Sequence, residues 1–305
     1  MSNYIINSYF NAAASASGGT EIIVGSTKYH KFTSGGTLTI TGGTLELMVI
    51  MGAGGGGAGG ETAGGGGAGG IIYQTGRFLT SGSYAFVMGN GGASACGNNQ
   101  GVNGQDSTFD GLTCKGGGYS GAKGAVYGNS GGSGGGGGNG SGTGTGSPSQ
   151  TAGTQPSQAG DSGTYGFGNG SLPVSGATMS GEGKGGGGAG SSPANAANAL
   201  NQNVGGRGLG GTFETAINTI LIDTSLGVED PDNSGEWYIG GGGSGTGDYN
   251  QKAALGSNGV GGTGQPSGQG GAGGANTSAG GGGGSGAGNC GGDGGSGFLV
   301  VSYTI

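Results

Sequence analysis

The sequence predicts a mainly β protein: a small sandwich built from N- and C-terminal strands, continuing into packed polyglycine II helices with displayed loops. Three observations carry that expectation. Glycine fills 95 of 305 positions. The apolar residues gather near the two ends in strand-like phrases. The glycines recur in separate tracts, each returning to a strand or a polar loop. Collagen shares the glycine fraction but needs a strict third-position repeat and abundant proline. Runs at 54–57 and 134–138 break any such period, and there are only 6 prolines. Charged residues make up 8% with a net charge of −7, unlike the highly charged composition of a disordered chain.

In chain order, residues 1–18 precede the first clear strand. Tyr4, Ile5, Ile6, Tyr9 and Phe10 there are more apolar than a solvated tail requires. The segment reads either as an attachment to a partner or as a strand covering the sheet. Residues 19–115 form the β-rich part. "TEIIV", "KYHKFT", "TLTIT" and "TLELMVIM" alternate or are β-branched, and Gly35-Gly36 and Gly42-Gly43 read as hairpin turns. "IIYQTGRFLT" and "SYAFVMG" are joined by Ser81-Gly82, which reads as another hairpin. "DSTFDGLTCK" reads as a short strand pair, and residues 297–305, "GFLVVSYTI", as a strand returning to the β part.

Residues 116–296 are the glycine-rich region, with earlier tracts at 52–60 and 64–70. Polar loops at 94–115, 147–180 and 191–239 hold most of the Asn, Gln, Pro and isolated aromatics. A linker would be one uniform segment, whereas recurring tracts point to a packed array. Polyglycine can pack in the polyproline II conformation, with three residues per turn and no internal hydrogen bonds. Its amides must then pair sideways with neighbouring tracts. A Cβ facing such a lattice would hold neighbours apart, so Ala, Ser, Thr or Asn are expected on outward faces.

Composition excludes several functions. The 8 basic residues are scattered, so no nucleic-acid-binding stripe forms. No 18-residue apolar run predicts membrane insertion, and residues 1–18 lack the basic start and apolar core of a secretory signal. Three cysteines, Cys96, Cys114 and Cys290, allow at most one bridge and fit free thiols equally well. The single histidine, His30, lies in a strand, so no catalytic triad or His-pair metal site can be built. Gly183-Lys184 is followed by Gly185, and Thr178 stands where a phosphate loop needs its first glycine. The sequence is read as non-enzymatic.

The phrases "YHKFTSGGTLTITGGTLELMVIMGAGGGGAGG", "GGIIYQTGRFLTSGSYAFVMGNGG", "KGGGYSG", "WYIGGGGSGTG" and "GGSGFLVVSYTI", spanning 29–305, resemble the glycine-rich domain family of tailed-phage tail-fibre and receptor-binding proteins. The resemblance implies a virion protein, made in the host cytoplasm and carried on the particle surface. It implies a tail-fibre tip adhesin that recognises a host glycan or outer-membrane protein through loops between the tracts. Other virion proteins would be met through the N-terminal segment, and a homo-oligomer would fit. A capsid decoration or head fibre, or a self-assembling extracellular filament, remains the alternative. Residues 213–239 are longer and more acidic than the simple strand usual there, so no family role passes to them.

Candidate contact residues are aromatics beside acids. Phe109 with Asp110, and Tyr165 with Phe167, sit in polar loops; Trp237 and Tyr238 read either as a sugar platform or as strand anchors for the following tract. "DPDNSGE" places Asp230, Asp232, Ser234 and Gly235 at calcium-loop spacing, with Glu236 adjacent. The twelfth position is Gly241 instead of a bidentate Glu, and the same residues are ordinary turn formers. Asn139, Asn169 and Asn276 begin glycosylation-acceptor triplets that matter only in a eukaryotic secretory setting.

Overall fold

A computed structural model describes residues 13–124, 127–138, 151–155, 166–171, 183–192, 205–212, 214–246 and 260–305. Strands dominate, as expected. They are β1 (Ser15–Ser17), β2 (Thr20–Val24), β3 (Thr27–Phe32), β4 (Gly36–Thr41), β5 (Leu45–Gly52), β6 (Ile71–Leu79) and β7 (Gly82–Val87). Then follow β8 (Ser107–Phe109), β9 (Leu112–Cys114), β10 (Gly166–Phe167), β11 (Leu209–Gly210), α1 (Thr215–Thr224), β12 (Val228–Glu229), β13 (Trp237–Ile239) and β14 (Phe298–Thr304).

Two antiparallel sheets face each other, in the orders β1-β4-β7-β8-β9 and β10-β6-β5-β14-β3-β2. Leu38, Ile40, Leu47, Val49, Phe86 and Val301 fill the space between them. β14 lies between β5 and β3 and is buried on both faces, which explains its unbroken "FLVV" run. Three expected hairpins are corners instead. Gly35-Gly36, Gly42-Gly43 and Ser81-Gly82 each join a strand of one sheet to a strand of the other. The reason is that consecutive strands bury their apolar faces against each other across the sandwich. Leu38 and Ile40 of β4 meet Leu45 and Leu47 of β5 in one core. Two-residue turns close the hairpins β2–β3, across Gly25-Ser26, and β8–β9, across Asp110-Gly111. In the second, Asp110 at φ 43° and Gly111 at φ 75° give the left-handed pair that a two-residue turn demands.

A third layer covers part of the outer face of the six-stranded sheet. It comprises α1 and the small sheet β11-β13-β12. Ile217, Ile220, Leu221 and Ile239 pack there on Ile50, Ile71, Phe298 and Val300. The segment 214–239 is therefore a structural cover. Lys31 Nζ donates to the Thr224 carbonyl at 2.7 Å, placing a cation at the helix C-terminus, and Tyr29 OH donates to Asp223 Oδ2 at 2.8 Å.

Beyond the sandwich the tracts bond sideways with a period of three. Ala53 and Gly56 donate to Gly70 and Gly67; Gly54 and Gly57 to Gln105 and Val102; Gly55 and Ala58 to Gly295 and Gly292, at 2.8–3.1 Å. Each tract thus serves three neighbours in turn, as three residues per turn requires. The next pass repeats the pattern: Gly64, Gly67 and Gly70 reach 121, 118 and 115, while Ala63, Gly66 and Gly69 reach 284, 281 and 278. Cβ atoms are excluded at most tract positions. A Cβ on Gly55 would sit 1.9 Å from the Ala279 oxygen, and one on Gly56 2.1 Å from the Gly118 oxygen. Non-glycine residues are not confined to outward faces, contrary to expectation. Ala53, Ala58, Ala63 and Ala68 are wholly buried, as are Ser120 and Thr246. Hydroxyls can stand in for backbone groups: Ser120 Oγ accepts the Gly59 N–H at 2.8 Å, and Thr151 Oγ1 donates to the Gly135 carbonyl at 2.7 Å.

Candidate binding surface

Among the described residues, those singled out from sequence do not form one exposed surface. Phe109 is fully buried in the sandwich core. Asp110 occupies the β8–β9 turn, where Arg77 Nε donates to its Oδ2 at 2.9 Å. Phe167 and Trp237 pack against the core beneath α1. Tyr238 is 2% exposed against Val260 and Ala279 and its hydroxyl donates to Glu236 Oε2 at 2.7 Å; burial first, then this bond, pushes its pKa up to about 12. Tyr165 lies outside the described residues. Phe109 and Tyr238 therefore present no ring face, whereas Asp110, held in an ion pair, and Phe167 and Trp237 remain partly exposed. These phrases are aromatic because they build the core and its turns.

The residues at calcium-loop spacing are engaged in other bonds. Among the described residues no group of three or more His, Cys, Asp or Glu side chains converges. Asp230 is buried and its Oδ1 accepts the Asp232 N–H at 2.9 Å, the turn closure typical of a loop aspartate. Ser234 Oγ donates to Glu229 Oε1 at 3.2 Å, and Glu236 is bonded to Tyr238. His30 is buried, its Nδ1–H donating to the Gly18 carbonyl at 2.8 Å. Lys184 is a lattice residue whose N–H donates to Gly137. No helix among the described residues is long and apolar enough to cross a membrane.

A different surface assembles at the end of the lattice away from the sandwich. The tract leaving β5 turns at Glu61-Thr62 and returns as 63–70 toward β6. Beside that turn, Glu61 N–H donates to Gly97 O at 2.6 Å, Lys123 N–H to Glu61 O at 2.9 Å, and Gly97 N–H to Asn289 O at 3.0 Å. Lys123 Nζ pairs with Glu61 Oε1. A disulfide joins Cys96 to Cys290 across 194 residues and ties two of these loops together. The alternative of three free thiols is thereby resolved, leaving Cys114 free and buried, with burial pushing its thiol pKa far up. Asn98 and Asn99 are exposed, and Gln100 Nε2 donates to the carbonyl of Tyr127, itself 51% exposed, at 2.7 Å. Tract ends Gly138, Gly183 and Thr246 adjoin Ala122 and Ala63 at this end too.

This surface offers side-chain amides, one open aromatic ring and a mutually neutralised ion pair. Its residues were missed in the sequence because single turns such as "ETAG" and "CGNNQG" look like interruptions of glycine tracts. The legible signal was the spacing of those interruptions, one at each reversal of the chain.

The supposed loop 147–180 is also subdivided. Residues 151–155 and 168–171 are lattice passes, the latter following β10, with Ser171 N–H donating to Thr151 O and Gly134 N–H to Asn169 O, both at 3.0 Å. Gln155 is fully buried.

No curated protein matches the chain. The glycine-rich domain family matches residues 28–304, from β3 through β14 and every tract between. The chain belongs to the glycine-rich domain family.

Proposed function

We propose that this is a non-enzymatic phage virion protein, a tail-fibre tip adhesin that recognises a host surface through the loops at the far end of its lattice. The observation that carries the reading is the convergence of the 61–62, 96–100, 123–124 and 286–289 turns at one end. A backbone-bonded slab, a disulfide and the Glu61–Lys123 pair hold those turns in place, while Asn98, Asn99 and Tyr127 stay exposed on them. Such a division lets contact residues vary without disturbing the scaffold. The phrases spanning 29–305 that resemble tail-fibre proteins support the same role.

Immunogold labelling of the source particle with antibody to the purified protein tests this. Label at the tail extremity is expected; label spread over the head, or along filaments outside any particle, would overturn it. On host cells, the triple variant Asn98→Ala, Asn99→Ala, Tyr127→Ala is expected to lose adsorption with its melting temperature unchanged.

A further inference from the structure

β2 is the outer strand of the six-stranded sheet, bonded to β3 alone. Its two-residue turn makes Val24 and Thr27 a hydrogen-bonded pair. Thr20, Ile22 and Val24 therefore exchange bonds with β3, while Glu21 and Ile23 turn their N–H and C=O groups outward. No other described segment donates to or accepts from those groups. Edges of the facing sheet are treated differently. On β1, Ala16 N–H donates to Tyr303 OH and Ala16 O accepts from Lys28 Nζ. On β9, the carbonyl of Thr113 accepts from Gln155 Nε2, whose Oε1 also takes the Lys115 N–H.

The usual guards of an exposed edge are absent from β2. It has no proline, pairs with β3 without a bulge, and carries one charge, Glu21, which Lys28 of its own sheet neutralises at 2.8 Å. Apolar surface gathers around it instead. Ile23 is 61% exposed and Val24 42%. Ile305, 60% exposed, is held at the β2–β3 turn by its N–H donating to Ser26 O. Ile222, 44% exposed, lies on α1, which packs beside β2.

We propose that β2 is the interface of a two-fold homodimer, in which the β2 strands of two copies pair antiparallel and fuse two six-stranded sheets into one. The strand is compatible with its own reverse. With the axis at Ile22, Glu21 faces Ile23 of the second copy and Thr20 faces Val24. Both outward-facing residues then meet outward-facing partners and form two hydrogen-bonded pairs. Shifting the register to centre on Glu21 would set two carboxylates directly opposite, which is disfavoured. The chosen register brings Val24 and Ile222 of both copies together on one face and Ile23 on the other. An isologous contact of this kind closes on itself, so it ends at two subunits.

Size exclusion with light scattering on the full chain tests the proposal. The expected result is a species of twice the 28.1 kDa chain mass that dissociates on dilution. Ile23→Pro removes only an outward N–H, and Ile23→Lys places a charge at the contact. Each is expected to raise the dimer dissociation constant at least about tenfold. A measurement without variants accompanies them: the Glu21 and Ile23 amides exchange slowly at high concentration and quickly on dilution. A monomer at every concentration overturns the proposal. So does a dimer in which those two amides exchange freely, or one unmoved by either variant.

Discussion

At Gly56 the space for a side chain is already taken. The Gly118 oxygen lies 2.1 Å from where a Cβ would stand, and it is backbone, which cannot swing aside. Gly56→Ala is expected to destabilise the protein by about 3 kcal/mol, since a neighbouring pass must move. Gly25 is the control. A Cβ there meets nothing within 4 Å, but its φ of 58° is left-handed. Gly25→Ala should therefore cost only about 1 kcal/mol, the local penalty of that conformation. Denaturant titration of both variants measures the contrast, and equal losses would mean that packing is not what excludes side chains.

His30 supplies a pH dependence. Burial, opposed by the Gly18 carbonyl and by Glu21 and reinforced by Lys28, lowers its pKa from the ordinary 6.5. Its Nε2 has no hydrogen-bond partner, and its ring stacks on Tyr303 at 5.9 Å. The unfolded chain then binds the proton more readily than the folded one. This contribution to stability is complete above 6.5 and declines as pH falls below that value. Melting temperature should fall between about pH 7 and about pH 5, and His30→Phe should flatten that slope.

Among elements, β14 and the strand phrases before residue 90 were legible because period-two patterns and β-branched runs are local signals. The sheet each strand joins was not local. A glycine pair marks a reversal equally well whether the chain pairs beside itself or crosses the sandwich. Helix α1 was missed because Ile, Thr and Asp form helices weakly, although Ile217, Ile220, Leu221 and Thr224 keep a helical spacing and are all buried. Gln155 shows how a side chain can act as an edge strand. It binds Thr113 O at 3.1 Å and Lys115 N at 2.6 Å, closing the edge of β9. Gln155→Ala leaves both backbone groups unpaired, with an expected loss of about 1–3 kcal/mol. Thermal unfolding of that variant checks it. No change would return residues 151–155 to the status of a free loop.

Across the whole molecule, glycine content separates two jobs. The sandwich and its covering layer are held by apolar burial, and the described glycine tracts by amides that meet across neighbouring passes. The lattice was readable in the sequence, since a third of the residues had no side chains with which to order themselves. The candidate surface was not, because which turns become neighbours depends on how the passes interleave. Glu61, Gly97, Lys123 and Asn289 are far apart in the chain and adjacent only through bonds between tracts. Aromatic residues drew attention for their chemistry, yet Phe109 and Tyr238 serve the core, and the displayed positions went to Asn98, Asn99 and Tyr127.

Residue-resolved hydrogen exchange of the tract amides, in the intact folded chain, tests the central claim most directly. The bonds from Gly55, Gly56, Gly66 and Gly281 to neighbouring tracts predict slow exchange at these positions, comparable to the core strand β14. Exchange at the rate of an unstructured peptide there, with β14 still protected, would contradict a hydrogen-bonded lattice.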